Sequence, residues 1–427
     1  PYTTLFRSRN LITGAALARG ACPTLSAPME TGDGLLARIV PSGSMAIDDF
    51  AALCAAARTH SNGLVEITAR GSLQVRGLTE ISAPLFANTV EGLEIPFDDN
   101  VPVLVSPLPA HPSAGVQPRD LAAEIRPAIA ARGLELAPKV SVAIDDGGPI
   151  SLDELAADIR LRAVDGDAVQ QLLVSVGGDH ETATRLGVTR IDHAASLIVE
   201  LLTALAESGA HVRARDVVAR EGLDRFLRAA GSRIATAPSH PAVRTTETIG
   251  LHRSHDGACA IGVALPFGQA HALDLIALAR IAGANGADWA VLAPQRTLLL
   301  GPIDEMTAFA LGTAADTLGF IVDARDARRR IAACAGAPAC ASGFIPSREL
   351  AAQIAERLPQ GSFALHVSGC SKGCAHPRPA PLTILGTAQG TRIIEGDSVF
   401  HLPDGTLYTD DVVAETVCRI VAENENA

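Results

Sequence analysis

Apolar and polar positions along this chain follow two periods, and the same order of periods occurs twice. In the stretch from 45 to 78, MAIDDFAALCAAARTHSNGLVEITARGSLQVRGL, the residues Ile47, Phe50, Leu53, Cys54 and Ala57 fall at helical spacing, predicting a helix with one buried face. Asn62-Gly63 ends the helix, and the alternation that follows predicts strands. The stretch from 270 to 303, AHALDLIALARIAGANGADWAVLAPQRTLLLGPI, repeats this order, with Asn285-Gly286 in the matching place. An α+β unit therefore occurs twice, roughly half a chain apart, as an internal repeat.

Alternate side chains of a strand point to opposite faces, so each repeat can be read as two surfaces. One face of the first copy is apolar, with Val65, Ile67, Leu73 and Val75, while the other offers Glu66, Thr68, Arg70, Gln74 and Arg76. The matching positions in the second copy read as Trp289, Val291, Pro294, Leu298 and Leu300. The first copy is therefore expected to present a ligand-binding surface and the second to be mainly structural, with Gln295 and Arg296 leaving it some polarity. The competing reading of the polar face is a solvated edge strand.

Between the copies, LAPKVSVAIDDGGPI reads as a strand and a Gly-rich turn, and ADIRLRAVDGDAVQQLLVSVGG as a hairpin around Asp165-Gly166-Asp167. Helical patterns in RDLAAEIRPAIAARG and ASLIVELLTALAESG flank them. After the second copy, SRELAAQIAERL reads as a helix, SFALHVSG as a strand and DDVVAETVCRIVAENENA as a closing helix.

At 427 residues the chain is long enough for two or three domains. It is 48% hydrophobic and 19% charged, yet no apolar run approaches the roughly 20 residues that cross a bilayer. A net charge of -12 without any basic tract argues against nucleic acid as a partner. The opening PYTTLFRS lacks an initiator Met and stands outside the pattern, so residues 1–17 are expected to be a non-native leader. Arg7, Arg9 and Arg19 interrupt any signal-peptide core, which leaves a cytoplasmic location as the expectation. Among 35 basic residues only Lys139 and Lys372 are lysines, as a compositional bias toward arginine would produce. A lysine kept under such a bias hints at a need for a compact ammonium.

Eight cysteines are too sparse for a disulfide scaffold, and four of them crowd together. Cys334 and Cys340 stand as C-x5-C, and after 29 residues Cys370 and Cys374 stand as C-x3-C. Two close pairs of thiolates suit tetrahedral zinc or an iron–sulfur cluster. The wider pair exceeds the two to four residues usual in zinc knuckles, whereas a cubane, with irons at separate corners, tolerates it. Glycines and prolines at Gly336, Pro338, Gly369, Gly373 and Pro377 would let backbone approach a bulky group. Cys54, Cys259 and Cys418 read as buried thiols, and Cys22 has no assignable role.

The cysteine pattern behind a duplicated unit resembles the nitrite/sulfite reductase superfamily. Within it, RGACPTLSAPMETGDGLLAR, EITARGSLQVRGL and HVSGCSKGCAHPRPAPLTILG are similar to the precorrin-3B synthases. The resemblance runs from about residue 18 to the C-terminus. It implies two ferredoxin-like half-domains, at 18–82 and 241–315, and two α/β sandwich domains, at 83–240 and 316–427, the last carrying the cysteines. It also implies a [4Fe–4S] cluster on Cys334, Cys340, Cys370 and Cys374 and a mononuclear non-haem iron whose ligands the sequence does not reveal. His252, His255, His366 and His376 are the candidates for that iron. The implied reaction hydroxylates precorrin-3A with molecular oxygen and closes a lactone, in aerobic cobalamin biosynthesis. NADH is the implied electron source, and the lack of a G-x-G-x-x-G fingerprint points to a separate electron-donor reductase.

A tetrapyrrole fringed with acetates and propionates needs cations over a broad concave surface. Thr68, Arg70, Gln74, Arg76, Lys139, Lys372 and Arg378 are the candidate substrate-binding residues, with Lys372 either offsetting charge on the thiolates or meeting a substrate carboxylate. Siroheme-dependent sulfite or nitrite reductases share the implied scaffold and are the alternative. Their Thr-x-Arg element is kept as Thr68-Ala69-Arg70 and one lysine as Lys139, but Val101 and Ser141 stand where two further cations are expected. A third possibility is a zinc-stabilised binding protein or electron carrier, for which the polar face would be unnecessary.

Overall fold

The computed structural model describes residues 23–97, 101–108, 118–164, 171–236, 242–254, 257–376, 378–400 and 406–425, so the expected leader and Cys22 lie outside it. Within these residues the strands form four five-stranded sheets of two kinds, each kind present twice. The first kind is antiparallel throughout. One copy runs Met29–Thr31, Gly34–Ile39, Leu73–Leu78, Leu64–Ile67, Gln269–His271, and the other runs Gly250–Arg253, Cys259–Ala264, Thr297–Ile303, Trp289–Ala293, Met45–Ala46.

These two sheets exchange their last strands. Gln269–His271 belongs to the second repeat but pairs with Leu64–Ile67, and Met45–Ala46 belongs to the first but pairs with Trp289–Ala293. Each exchanged strand leads directly into the helix of its own repeat, Ile47–His60 or Ala272–Ala284. The entries match: Ile47 N donates to Asp288 O at 3.0 Å, and Ala272 N to Gly63 O at 2.8 Å. Both helices and both sheets then share one core, in which Phe50, Leu53, Cys54 and Ala57 are fully buried together with Leu275 and Leu278. Each such large apolar side chain contributes about 1.5–3 kcal/mol on burial.

The strand register corrects one expectation. Val65 pairs with Val75 and Ala290 with Leu300, so Leu298 and Leu300 correspond to Leu73 and Val75 and lie in the core. The true counterparts of Gln74 and Arg76 are Leu299 and Gly301. A one-residue slip in a period-two pattern exchanges the faces, and uniform leucines at 298–300 hide such a slip. The outward face of the second copy is apolar nonetheless, because Leu299 and Val291 pack into a separate cluster with Leu108, Ile150, Ala260 and Ala293.

The second kind of sheet is mixed. In spatial order one runs Val103–Val105, Val142–Asp145, Ala157–Ala163, Gln171–Gly178, Thr184–Arg190, and the other runs Ile331–Ala333, Leu365–Ser368, Leu382–Thr387, Gly390–Glu395, Leu407–Tyr408. In each, the first three strands are parallel and the remaining pairings antiparallel. Helices Pro118–Arg132 and Ile191–Ala206 cover the former, and Ser347–Ala355 and Asp410–Glu425 the latter. The duplication thus embraces both kinds of sheet. The hairpin expected around Asp165-Gly166-Asp167 forms between Ala157–Ala163 and Gln171–Gly178, its turn lying outside the described residues. Among the described residues no helix is long and apolar enough to cross a membrane.

Candidate functional site

Ligands of open α/β sheets sit beyond the carboxyl ends of parallel strands, and the cysteines emerge there. Cys334 follows strand Ile331–Ala333, and Cys370 follows Leu365–Ser368 by one residue. Backbone bonds sew the two loops together: Cys334 N donates to Val367 O at 3.2 Å and Phe344 N to Gly369 O at 2.8 Å. Cys340 sits in a tight turn, its N donating to Gly336 O at 2.7 Å and its O accepting from Gly343 N at 2.8 Å. Gly369 N also donates to Cys334 Sγ at 3.1 Å. The glycines serve loop against loop, since a Cβ on Gly369 would stand 3.0 Å from Gly336 Cα.

All four cysteines line one cavity of about 660 Å³, in the range of pockets that hold small molecules and cofactors. The first-repeat hairpin forms the facing wall with Glu66, Thr68, Gln74 and Arg76. The two features read independently from the sequence, the polar strand face and the cysteine pairs, therefore meet in one space. Lys372 lines it too, its Nζ donating to Ser342 Oγ at 3.1 Å.

Charge in the cavity is closely arranged. Arg76 grips Asp33 with Nε at 3.1 Å and Nη2 at 2.8 Å, and Nη2 reaches Ala339 O at 3.2 Å, bracing the backbone next to Cys340. Burial works against its charge, but Glu66, Asp33 and the Cys340 thiol outweigh it and raise the pKa. Glu66 accepts from Arg348 Nη2 at 2.6 Å. Burial pushes the Cys374 thiol up, and Cys334, Cys370 and Cys340 push it further, while Lys372 pulls it down. The four sulfurs are thus within electrostatic reach of one another. Among the described residues no three His, Cys, Asp or Glu side chains converge on a point as a single ion would require.

Three expected binding residues are elsewhere. Arg70 turns away from the cavity and donates from Nη2 to Ser141 Oγ at 2.8 Å. Lys139 is exposed, and Arg378 is exposed with its charge felt by Asp179. Among the histidines, His366 is fully buried with neither ring nitrogen hydrogen-bonded, and its ring centroid lies 5.8 Å from that of His376. Burial, helped by His376, lowers the His366 pKa to about 4, so the ring is neutral. His252 is held apart by Thr248 O at 3.0 Å, and His255 lies outside the described residues. Cys54 and Cys259 are buried as expected, and Cys418 is partly buried against the core of the second mixed sheet.

Comparison with known proteins gives this geometry its relatives. A precorrin-3B synthase from Sinorhizobium sp. is 36% identical over 97% of this chain and 91% of its own length. The chain belongs to the precorrin-3B synthase family. Residues 27–89 match the nitrite/sulfite reductase ferredoxin-like half domain. More distant relatives of this precorrin-3B synthase family member include a ferredoxin–nitrite reductase of Synechococcus elongatus, 22% identical over 84% of this chain and 78% of that one. The structure of the Mycobacterium tuberculosis NirA protein superposes with a TM-score of 0.74 at 17% identity, covering 91% of this chain and 80% of that one, which shows the shared α+β fold.

Two cavity arginines were given no binding role by the sequence. Arg348 lies in a stretch read only as a helix, and Arg296 in the repeat expected to be mainly structural. The signal for Arg296 was its place beside Gln295 in an otherwise apolar hairpin.

Proposed function

We propose that this oxidoreductase converts precorrin-3A to precorrin-3B, inserting one atom of dioxygen into the tetrapyrrole and closing a lactone. The observation that carries the reading is the single cavity joining four thiols to the polar face of the first hairpin. The C-x5-C spacing of Cys334 and Cys340, wider than zinc knuckles use, favours a polynuclear cluster over a lone zinc ion. Cys334, Cys340, Cys370 and Cys374 would hold a [4Fe–4S] cluster; of the candidate ligands for a mononuclear iron, His366 and His376 have ring centroids 5.8 Å apart, and neither lines the cavity. When bound, these groups supply single-electron transfer and dioxygen activation, which side chains cannot perform.

The chain's own residues bind and orient. Gln74 offers hydrogen bonds from the strand face and Lys372 an ammonium at the rim, while the Thr68 hydroxyl, which also lines the cavity, is engaged with Ser72 Oγ at 2.8 Å. Arg76 is committed to Asp33 and Ala339, so its part is to hold the Cys340 loop against the hairpin. Reducing equivalents from NADH arrive through a separate reductase, and the product leaves with one oxygen atom while the second departs as water with two electrons and two protons. A siroheme reductase is disfavoured because Ser141, standing where a lysine is expected, holds Arg70 away from the cavity.

Anaerobically purified protein tests the reading through its metal content and spectrum. Iron and acid-labile sulfide with a broad visible shoulder and no macrocycle bands are expected. Intense macrocycle absorption would assign the chain to siroheme chemistry, and colourless zinc protein would end both enzymatic readings.

A further inference from the structure

Three arginines line the cavity, and their commitments differ. Arg76 is paired with Asp33 and Arg348 with Glu66, each within 2.8 Å. The Arg296 guanidinium has no hydrogen bond or ion pair among the described residues. Its electrostatic neighbours are Arg348 and Glu66, the latter already taken. Burial and then Arg348 lower its pKa, with Glu66 opposing, so the folded protein holds this charge at a cost.

The backbone is also spent on this residue. Arg296 has φ +65 and its neighbour Gln295 φ +60, so this turn holds two residues with a Cβ in a left-handed conformation that is costly for them. The matching position of the first hairpin is Gly71, φ +76, which adopts it freely. The side chain then crosses Gly268, where a Cβ would stand 2.6 Å from Arg296 Cδ. It ends where the large cavity meets a second one of about 310 Å³, both of which it lines. A half-buried cation aimed into a cavity, without a hydrogen bond or ion pair among the described residues, is stabilised by an anion that none of those residues supplies.

We propose that Arg296 receives a carboxylate of the substrate, fixing the tetrapyrrole's orientation from the second-repeat side of the cavity. This rests on the precorrin reading above. The fork of the guanidinium suits one carboxylate in a bidentate pair, which an ammonium cannot reproduce.

The test is equilibrium dialysis of methyl-labelled precorrin-3A against the anaerobic, cluster-loaded protein without reductant, with thermal midpoints of the ligand-free proteins. Arg296→Met is expected to weaken binding about tenfold or more, and Arg296→Lys to weaken it less. Ligand-free Arg296→Met is expected to melt at or above the wild-type temperature, because a charge without a partner has been removed. Wild-type affinity in Arg296→Met overturns the proposal and leaves the function standing. Midpoints lowered by several degrees in both variants also overturn it, as they would mark a structural residue. A wild-type protein that binds no precorrin-3A overturns both readings together.

Discussion

The two mixed sheets share a strand order and differ in what stands beyond their parallel strands. In the first, the carboxyl ends carry Ser106, Asp145 and Asp146, and the loop satisfies itself. Asp145 accepts from Ser151 Oγ and Leu152 N, both at 2.7 Å, and from Gly147 N at 2.9 Å, while Asp146 N donates to Ser106 Oγ at 3.2 Å. Leu108 and Ile150 then meet Val291 and Leu299 of the second hairpin and fill the space between. In the second sheet the same ends carry Cys334 and Cys370, and the first hairpin faces them with Glu66, Thr68, Gln74 and Arg76 around an open cavity. Duplication thus offers two equivalent places for a site. One is closed by apolar packing and internal hydrogen bonds, and the other is left open and lined with groups that seek a ligand.

The comparison can be broken from either side. Cys370→Ser should have the largest effect, emptying the cysteine site: iron and sulfide content should fall to near zero with the far-ultraviolet dichroism retained. Full iron content would remove Cys370 from the ligand set. On the closed side, Asp153 is buried against Arg162 at 3.3 Å and Arg160 at 3.6 Å. Asp153→Ala strands those cations and should cost about 3–5 kcal/mol in denaturant unfolding, with iron content per folded protein unchanged. Leu299→Gln places an amide in the apolar plug and should cost about 2–4 kcal/mol. A loss under about 1 kcal/mol would show that the plug is hydrated. The reciprocal change, Gln74→Leu, should leave stability within about 1 kcal/mol while weakening precorrin-3A binding a few-fold, since one neutral hydrogen bond is at stake. Unaltered affinity there would remove Gln74 from the substrate's contacts.

The hairpins' periodicity made half of this legible. Val65, Ile67, Leu73 and Val75 are in the core, and Glu66, Thr68, Gln74 and Arg76 face the cavity, because alternation is a property of the strand itself. The side of Arg70 was not legible, since it follows the strand's end, where alternation gives way to the turn closed by Gly71 N on Thr68 O. The duplication of the mixed sheets was legible only through the family resemblance, because a shared strand order need not leave a shared residue pattern. Arg348 and Arg296 were missed because their distinction lies in partners, Glu66 for one and none among the described residues for the other. Partners far apart in sequence are set by packing rather than by local pattern.

The most direct measurement is turnover under ¹⁸O-labelled dioxygen. The loaded protein is incubated anaerobically with precorrin-3A, then given labelled oxygen and a reductant, and the product is analysed by mass spectrometry. One labelled oxygen atom per product molecule is the expected result. A product without the label, or unchanged precorrin-3A beside intact cluster and bound substrate, would contradict the account.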